Sequence, residues 1–126
     1  MKELTKAEEQ VMQYLWKLEK AYLKDIVSAY PAPSPAYTTV STVVNVLVKK
    51  GFIGFDTHGK SREYRPMTSH ANYRKQAFKG ILRSFFNDSP SQFASFFTKE
   101  NELDLDELEN MKQLIEAQIK THKNHE

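Results

Sequence analysis

Between Tyr37 and Lys50 the apolar side chains Val40, Val43, Val44, Leu47 and Val48 recur at i, i+3, i+4, i+7 and i+8, the stripe of a helix with one buried face. Thr38, Ser41, Thr42 and Asn45 fall outside that stripe and are expected to be exposed. The Val/Thr content favours a strand on propensity alone. Against that, about eleven residues without a turn signal exceed the usual strand, and the spacing is helical. The run ends at Lys49-Lys50-Gly51, where two cations suit the negative end of a helix and a glycine suits the left-handed position beyond it. Two short strand-like segments follow, Phe52 to Thr57 and Arg62 to Pro66, around the turn His58-Gly59-Lys60-Ser61.

Upstream, Thr5-Lys6-Ala7-Glu8 is a capping box that opens a first helix. Ala7, Val11, Leu15 and Leu18 line its inner face, and Met12 and Trp16 widen it, so all six are expected in the core. A second helix fits Leu23 to Tyr30 with Ile26 and Val27 inward, and Pro31, Pro33 and Pro35 end it. Three helices followed by a hairpin is the order of a winged helix. Residues 1–70 are therefore expected to form a winged helix-turn-helix DNA-binding domain.

The pattern changes after Pro66. Ser69-His70 caps a helix over Ala71 to Phe86 whose stripe is Phe78, Ile81, Leu82 and Phe85. Asn87-Asp88-Ser89-Pro90 breaks it, and a short helix carries Phe93, Phe96 and Phe97. A last helix is marked by Leu105, Leu108, Met111, Ile115 and Ile119, with a frayed tail expected from Thr121. Some fifty residues with so many large apolar side chains cannot bury them against one another. Pairing of two copies solves this, so residues 71–126 are expected to form a helical dimerisation domain using Phe78, Ile81, Leu82, Phe85, Phe93, Phe96, Phe97, Leu108, Met111 and Ile115. The fold class is mainly α, with one β-hairpin.

Composition narrows the function. The 126 residues are 40% hydrophobic and 27% charged, a globular balance, and the net charge is only +2. Its distribution is uneven. Residues 1–70 hold ten Lys/Arg against seven Asp/Glu, residues 71–98 four against one, and residues 99–126 four against eight. The basic character lies upstream of an acidic last helix. With no cysteine, thiolate metal sites and thiol nucleophiles are excluded, and a reducing compartment fits. The polar start and the lack of a long apolar run point to the cytoplasm. His122 and His125 lack partner ligands, and no phosphate loop, nucleophile elbow or carboxylate pair is present. The expectation is no enzyme, no metal and no cofactor.

A polar helix face beside a basic hairpin points to double-stranded DNA. Thr38, Thr39, Ser41, Thr42 and Asn45 are the expected reading residues. Asn45 can pair with adenine, hydroxyls can reach bases or phosphates, and threonine methyls can touch thymine. No basic residue stands between Lys24 and Lys49, so contacts leaning to A·T and to DNA shape are expected from this helix. Lys49, Lys50, Lys60 and Arg62 are expected to supply phosphate attraction. The alternative at this point is a winged-helix adaptor that meets a protein rather than DNA.

Several motifs carry a resemblance. Ala7-Glu8, Val11-Met12 and Trp16 in the first helix, Pro35, Thr39-Val40, Thr42, Leu47 and Lys49 to Ile53 around the next, Tyr64 to Met67, and Ser95 to Ile115 are similar to the penicillinase-repressor (BlaI/MecI-type) family of bacterial transcriptional regulators. The resemblance spans nearly the whole chain. It implies a homodimeric repressor that holds an operator until a membrane sensor-protease acts, with cleavage in the segment matching Ser95-Phe96. This chain has Ser95 where well-known members carry Asn.

Overall fold

The computed structural model of the chain describes residues 3–125. Its elements are α1 (Lys6–Leu18), α2 (Leu23–Ala29), α3 (Tyr37–Lys50), β1 (Ile53–His58), β2 (Ser61–Pro66), α4 (His70–Phe86), α5 (Pro90–Glu100) and α6 (Leu105–Asn124). Three helices and an antiparallel hairpin make a winged helix, as the order of the patterns predicts. The chain divides into two compact units, one ending at Phe78 and the other beginning at Lys79, within α4.

The first unit has a single core. Val11, Met12 and Leu15 of α1, Ile26 and Val27 of α2, and Val40, Val44 and Leu47 of α3 are buried together with Ala21, Phe52, Ile53 and Tyr64. Burial of this stripe decides α3 in favour of helix despite its β-branched content. Gly51 ends α3 with φ +86°, and its N–H returns to the carbonyls of Leu47 and Val48. The hairpin register pairs Ile53 with Pro66 and His58 with Ser61. Only Gly59 and Lys60 remain in the turn, with Gly59 at φ +64°. A third strand-like contact joins the sheet at one residue. The Ala21 N–H donates to the Tyr64 carbonyl at 2.9 Å, and the Tyr64 N–H donates back at 2.7 Å. This pins the wing to the loop between α1 and α2.

The inner face of α1 differs from the expected one. Ala7 is exposed, Leu18 is 40% exposed and Trp16 is only partly covered. The buried fourth member of the face is Glu8, whose carboxylate caps the Thr5 N–H at 2.9 Å and takes Lys50 Nζ at 2.8 and 2.9 Å. The inner face is centred nearer Met12 than expected: Glu8 lies three and four residues before Val11 and Met12, one turn away on their side of the helix. Trp16 does pack, but at the rim, where its indole N–H donates to the Thr68 carbonyl at 2.8 Å and its ring stacks on His70 with centroids 4.6 Å apart.

In the second unit, residues from Lys79 of α4 continue into α5 and α6. The Ser89 hydroxyl accepts from the Gln92 N–H, with Pro90 at the first position of α5. Asp104 and Glu107 form a capping box at the start of α6. The frayed tail expected from Thr121 is helical through Asn124. His122 and Lys123 suit the last turn electrostatically, and the Thr121 hydroxyl donates to the Ala117 carbonyl at 3.0 Å. Glu126 lies outside the described residues. None of α4, α5 and α6 holds a buried residue. Among the described residues no helix is long and apolar enough to cross a membrane.

Candidate nucleic-acid interface

Helix α3 presents its apolar stripe inward, which fixes what it presents outward. Thr38, Thr39, Thr42 and Asn45 are exposed, and Ser41 is half-buried. The Thr42 hydroxyl donates to the Thr38 carbonyl at 2.9 Å, so it is left to act as an acceptor. Fourteen residues make a helix about 21 Å long, and the major groove of B-DNA, about 12 Å wide, admits such a helix.

A groove runs beside this face. It is lined by Ser41 and Asn45 of α3, Lys24 and Leu23 of α2, Tyr22 just before α2, and His58, Lys60, Ser61, Arg62 and Tyr64 of the wing. Among the described residues, three cations and no carboxylate line it. Of the residues expected from the sequence, Ser41, Asn45, Lys60 and Arg62 meet here. Thr38, Thr39, Thr42 and Lys49 are exposed on α3 but do not line it.

The wing side chains are held in definite ways. Thr57 faces Arg62 and Phe55 faces Tyr64 in the hairpin register. Arg62 therefore shares a face with Phe55, and its guanidinium sits 4.3 Å from the Phe55 ring centre, a cation–π contact that leaves its N–H groups free to bond. On the opposite face Arg65 pairs with Asp56 at 2.9 Å, and Glu63 lies 3.4 Å from His58. Neither wing carboxylate is among the residues that line the groove.

Lys50 is placed differently from its expected role. Its ammonium is bound to the buried Glu8 carboxylate at 2.8 Å, which spends its charge inside the protein. The Glu8 carboxyl is held below the ordinary 4.5 chiefly by the Lys50 hydrogen bond, then by the Thr5 N–H, while burial opposes. Sequence reasoning also missed Tyr22, Lys24, His58 and Ser61. Only the tertiary fold brings α2 next to the wing, although Lys24 carried the signal of an unpaired cation at a helix start.

The residues expected in dimerisation lie on α4, α5 and α6. Ile81 is 45%, Phe85 76%, Phe96 50% and Ile115 56% exposed; Phe78 is 40% exposed. Leu82, Phe93, Phe97, Leu108 and Met111 are half-buried. Phe86, absent from that set, joins the aromatic cluster: its ring centre is 5.6 Å from Phe93 and 5.5 Å from Phe96, and Phe93 stacks on Phe97 at 5.5 Å. Leu114 and Ile119 extend the apolar face of α6 beyond Ile115. Ser95 and Phe96 stand in the middle of α5, and Ser95 is exposed. Among the described residues no group of three or more His, Asp or Glu could hold a metal ion.

The profile of the penicillinase repressor family matches residues 4–117. A penicillinase repressor from Bacillus licheniformis is 23% identical over 123 residues, covering 97% of this chain and 93% of that protein. The methicillin resistance regulatory protein MecI from Staphylococcus aureus (strain N315) is 21% identical over 114 residues, 90% and 93% of the two chains. Among solved structures, a CopR repressor is 29% identical with a TM-score of 0.45, covering 54% of this chain and all of that one. A RosR structure from H. salinarum is 14% identical with a TM-score of 0.49, covering 95% and 97%. With the family profile matching nearly its whole length, the chain belongs to the penicillinase repressor family, whose members are DNA-binding transcriptional repressors rather than enzymes.

Proposed function

We propose that the chain represses transcription in the cytoplasm by binding double-stranded operator DNA as a homodimer. Helix α3 enters the major groove, where Ser41, Asn45 and the hydroxyls of Thr38, Thr39 and Thr42 meet base edges and nearby phosphates. Lys49, Lys60 and Arg62 supply the sequence-independent attraction. The observation that carries this reading is the groove itself, with cations on its rims, no carboxylate in its lining, and a neutral polar helix along one side. Dimerisation places two such units on one operator, and the apolar faces of α4, α5 and α6 are its surface. Relief follows from cutting at Ser95-Phe96 by a membrane sensor-protease. A cut there would divide the aromatic cluster, since Phe93 and Phe96 would fall on different fragments.

The test is fluorescence anisotropy of the full chain on a duplex from its own upstream region, titrated with salt. Binding should weaken with a log–log slope of about −0.9 per neutralised phosphate, and Lys60→Ala with Arg62→Ala should flatten it. A chain that shows no salt-sensitive DNA binding but captures a protein partner would be the adaptor instead. For relief, the size of fragments formed with the sensor-protease decides: a cut elsewhere removes Ser95-Phe96 from the mechanism.

A further inference from the structure

Arg62 and Arg65 stand on one strand but are held in opposite ways. Arg65 binds the Asp56 carboxylate at 2.9 Å, which offsets its charge on the spot. Among the described residues no carboxylate pairs with Arg62, whose guanidinium sits instead 4.3 Å from the centre of the Phe55 ring. The electron-rich face of a ring attracts a cation without neutralising it, and it leaves the N–H groups at the guanidinium edge unbound. The ring is itself fixed. Phe55 is half-buried and packs against the core of the first unit. Tyr64, its edge-on partner across the hairpin with ring centres 6.0 Å apart, is buried and exchanges two backbone hydrogen bonds with Ala21. Arg62 is exposed, yet it is backed by two rings that reach the core. A long exposed cation loses rotamer freedom when a ligand fixes it. One already seated on a rigid support has lost part of that freedom before binding.

Resting on the proposed DNA-binding function, we propose that Phe55 is a positioning residue of this interface. Its ring, which does not line the groove, holds the Arg62 guanidinium charged and open-edged where Arg62 does line it. The wing is thereby set before the duplex arrives. A carboxylate in the place of Phe55 would order the same side chain but take away the charge that a phosphate needs, as Asp56 does for Arg65.

The experiment is a double-mutant cycle read by anisotropy of the full chain on the upstream duplex at one fixed salt concentration. Phe55→Leu should weaken binding about 2–5-fold, the range of an exposed cation–π contact. Phe55→Tyr, which keeps a ring face, should restore it. Phe55→pentafluorophenylalanine keeps the shape and the folding of the chain but reverses the charge of the ring face, and it should lose as much as Phe55→Leu. In an Arg62→Ala background neither replacement should weaken binding further, because Phe55 acts through Arg62. A loss that persists in that background assigns Phe55 to the stability of the wing alone and overturns the proposal. Unchanged or tighter binding by the fluorinated chain overturns it too, since Arg62 would then leave the ring to meet its ligand. A readout without DNA is the proton spectrum of Arg62: its side-chain resonances should lie upfield of those in Phe55→Leu, and their coincidence removes the contact. Absence of salt-sensitive binding by the unmodified chain, with that upfield shift present, is a different failure, that of DNA binding itself.

Discussion

Among the described residues, the first unit buries twelve hydrophobic residues in one cluster, whereas the second, with α5, α6 and the end of α4, buries none. Both are amphipathic by sequence, so the difference lies in what their apolar faces meet. In the first unit three helix stripes and the base of the wing converge, and each covers the others. In the second the phenylalanines cluster locally while Leu114, Ile115 and Ile119 stay about half exposed or more. Burial contributes roughly 25 cal/mol per Å² of apolar surface removed from water. The first unit gains it within its own chain. The second gains only part of it from its own phenylalanine cluster and leaves an apolar face of α6 uncovered, which supports the proposed homodimer.

The largest expected effect tests the first half of that contrast. Leu47→Ala, at a fully buried position, should lower stability by about 2–5 kcal/mol, independent of protein concentration. Leu114→Ala, at a side chain 69% exposed, should change the unfolding free energy of the dissociated chain by less than about 0.5 kcal/mol. Next comes Ile115→Asp. It should leave the melting of the first unit in place but raise the dimer dissociation constant at least ~100-fold, as two charges are placed in one symmetric interface. Sedimentation equilibrium reads this directly. A dimer that survives the aspartate at micromolar concentration would move the interface away from this face of α6.

How much could be read beforehand follows the same contrast. Val40, Val44 and Leu47, and Val11 with Leu15, announce their helices because burial imposes a period on the sequence. The hairpin was visible through Gly59, although both ends of β1 and the start of β2 moved by one residue, while Pro66 held. The Ala21–Tyr64 bridge was not legible, because one residue in extended conformation has no period. The Glu8–Lys50 pair is a stronger lesson. Glu8 is well explained as a capping residue and Lys50 as a cation at a helix end, and both local explanations hold; nothing local says that residues 42 positions apart also bind each other. The one signal was positional, a carboxylate on the helical face that also carries Val11 and Met12, which requires a cation nearby. The groove was legible in part for the same reason. Asn45 and Lys60 stand out by type, whereas Lys24 belongs to it only through packing.

A smaller effect follows from that pair and sharpens the account of why the first unit coheres. Lys50→Met would leave the buried Glu8 carboxylate without its cation and should cost about 1–2 kcal/mol, less than a fully buried pair because Lys50 retains 24% side-chain exposure. The sign with pH is fixed by the lowered carboxyl. The folded state holds Glu8 ionised below the ordinary 4.5, so its stabilisation is complete above about that pH and is lost as the pH falls through the folded-state value. Denaturant midpoints of the unmodified chain should therefore drop more steeply below pH 4.5 than those of Glu8→Gln. Parallel curves would mean that the pair contributes nothing to acid stability.

The smallest effect is alkaline and lies where α4 leaves the first unit. The Tyr73 hydroxyl donates to the Glu9 carboxylate at 2.7 Å, and its ring lies edge-on to Phe52 and near Trp16. Burial, then the bond to Glu9, then the negative charge of Glu9, Glu3 and Glu8 push its pKa from 10.0 up to about 12. The folded chain thus keeps a proton that the unfolded chain releases near 10. Its stabilisation is full below pH 10 and falls away between about 10 and 12. Tyr73→Phe should cost about 1 kcal/mol at pH 8 through loss of the hydrogen bond, and should remove that share of the alkaline loss. Tyr30 is also raised, by burial and by Tyr14, so the quantity to follow is the difference between the two proteins from pH 8 to 11.5. The gap should narrow as the pH rises. A constant gap would show that the hydroxyl's contribution is not linked to release of its proton, and a gap of zero that Tyr73 ties α4 to α1 by packing against Phe52 and Trp16 alone.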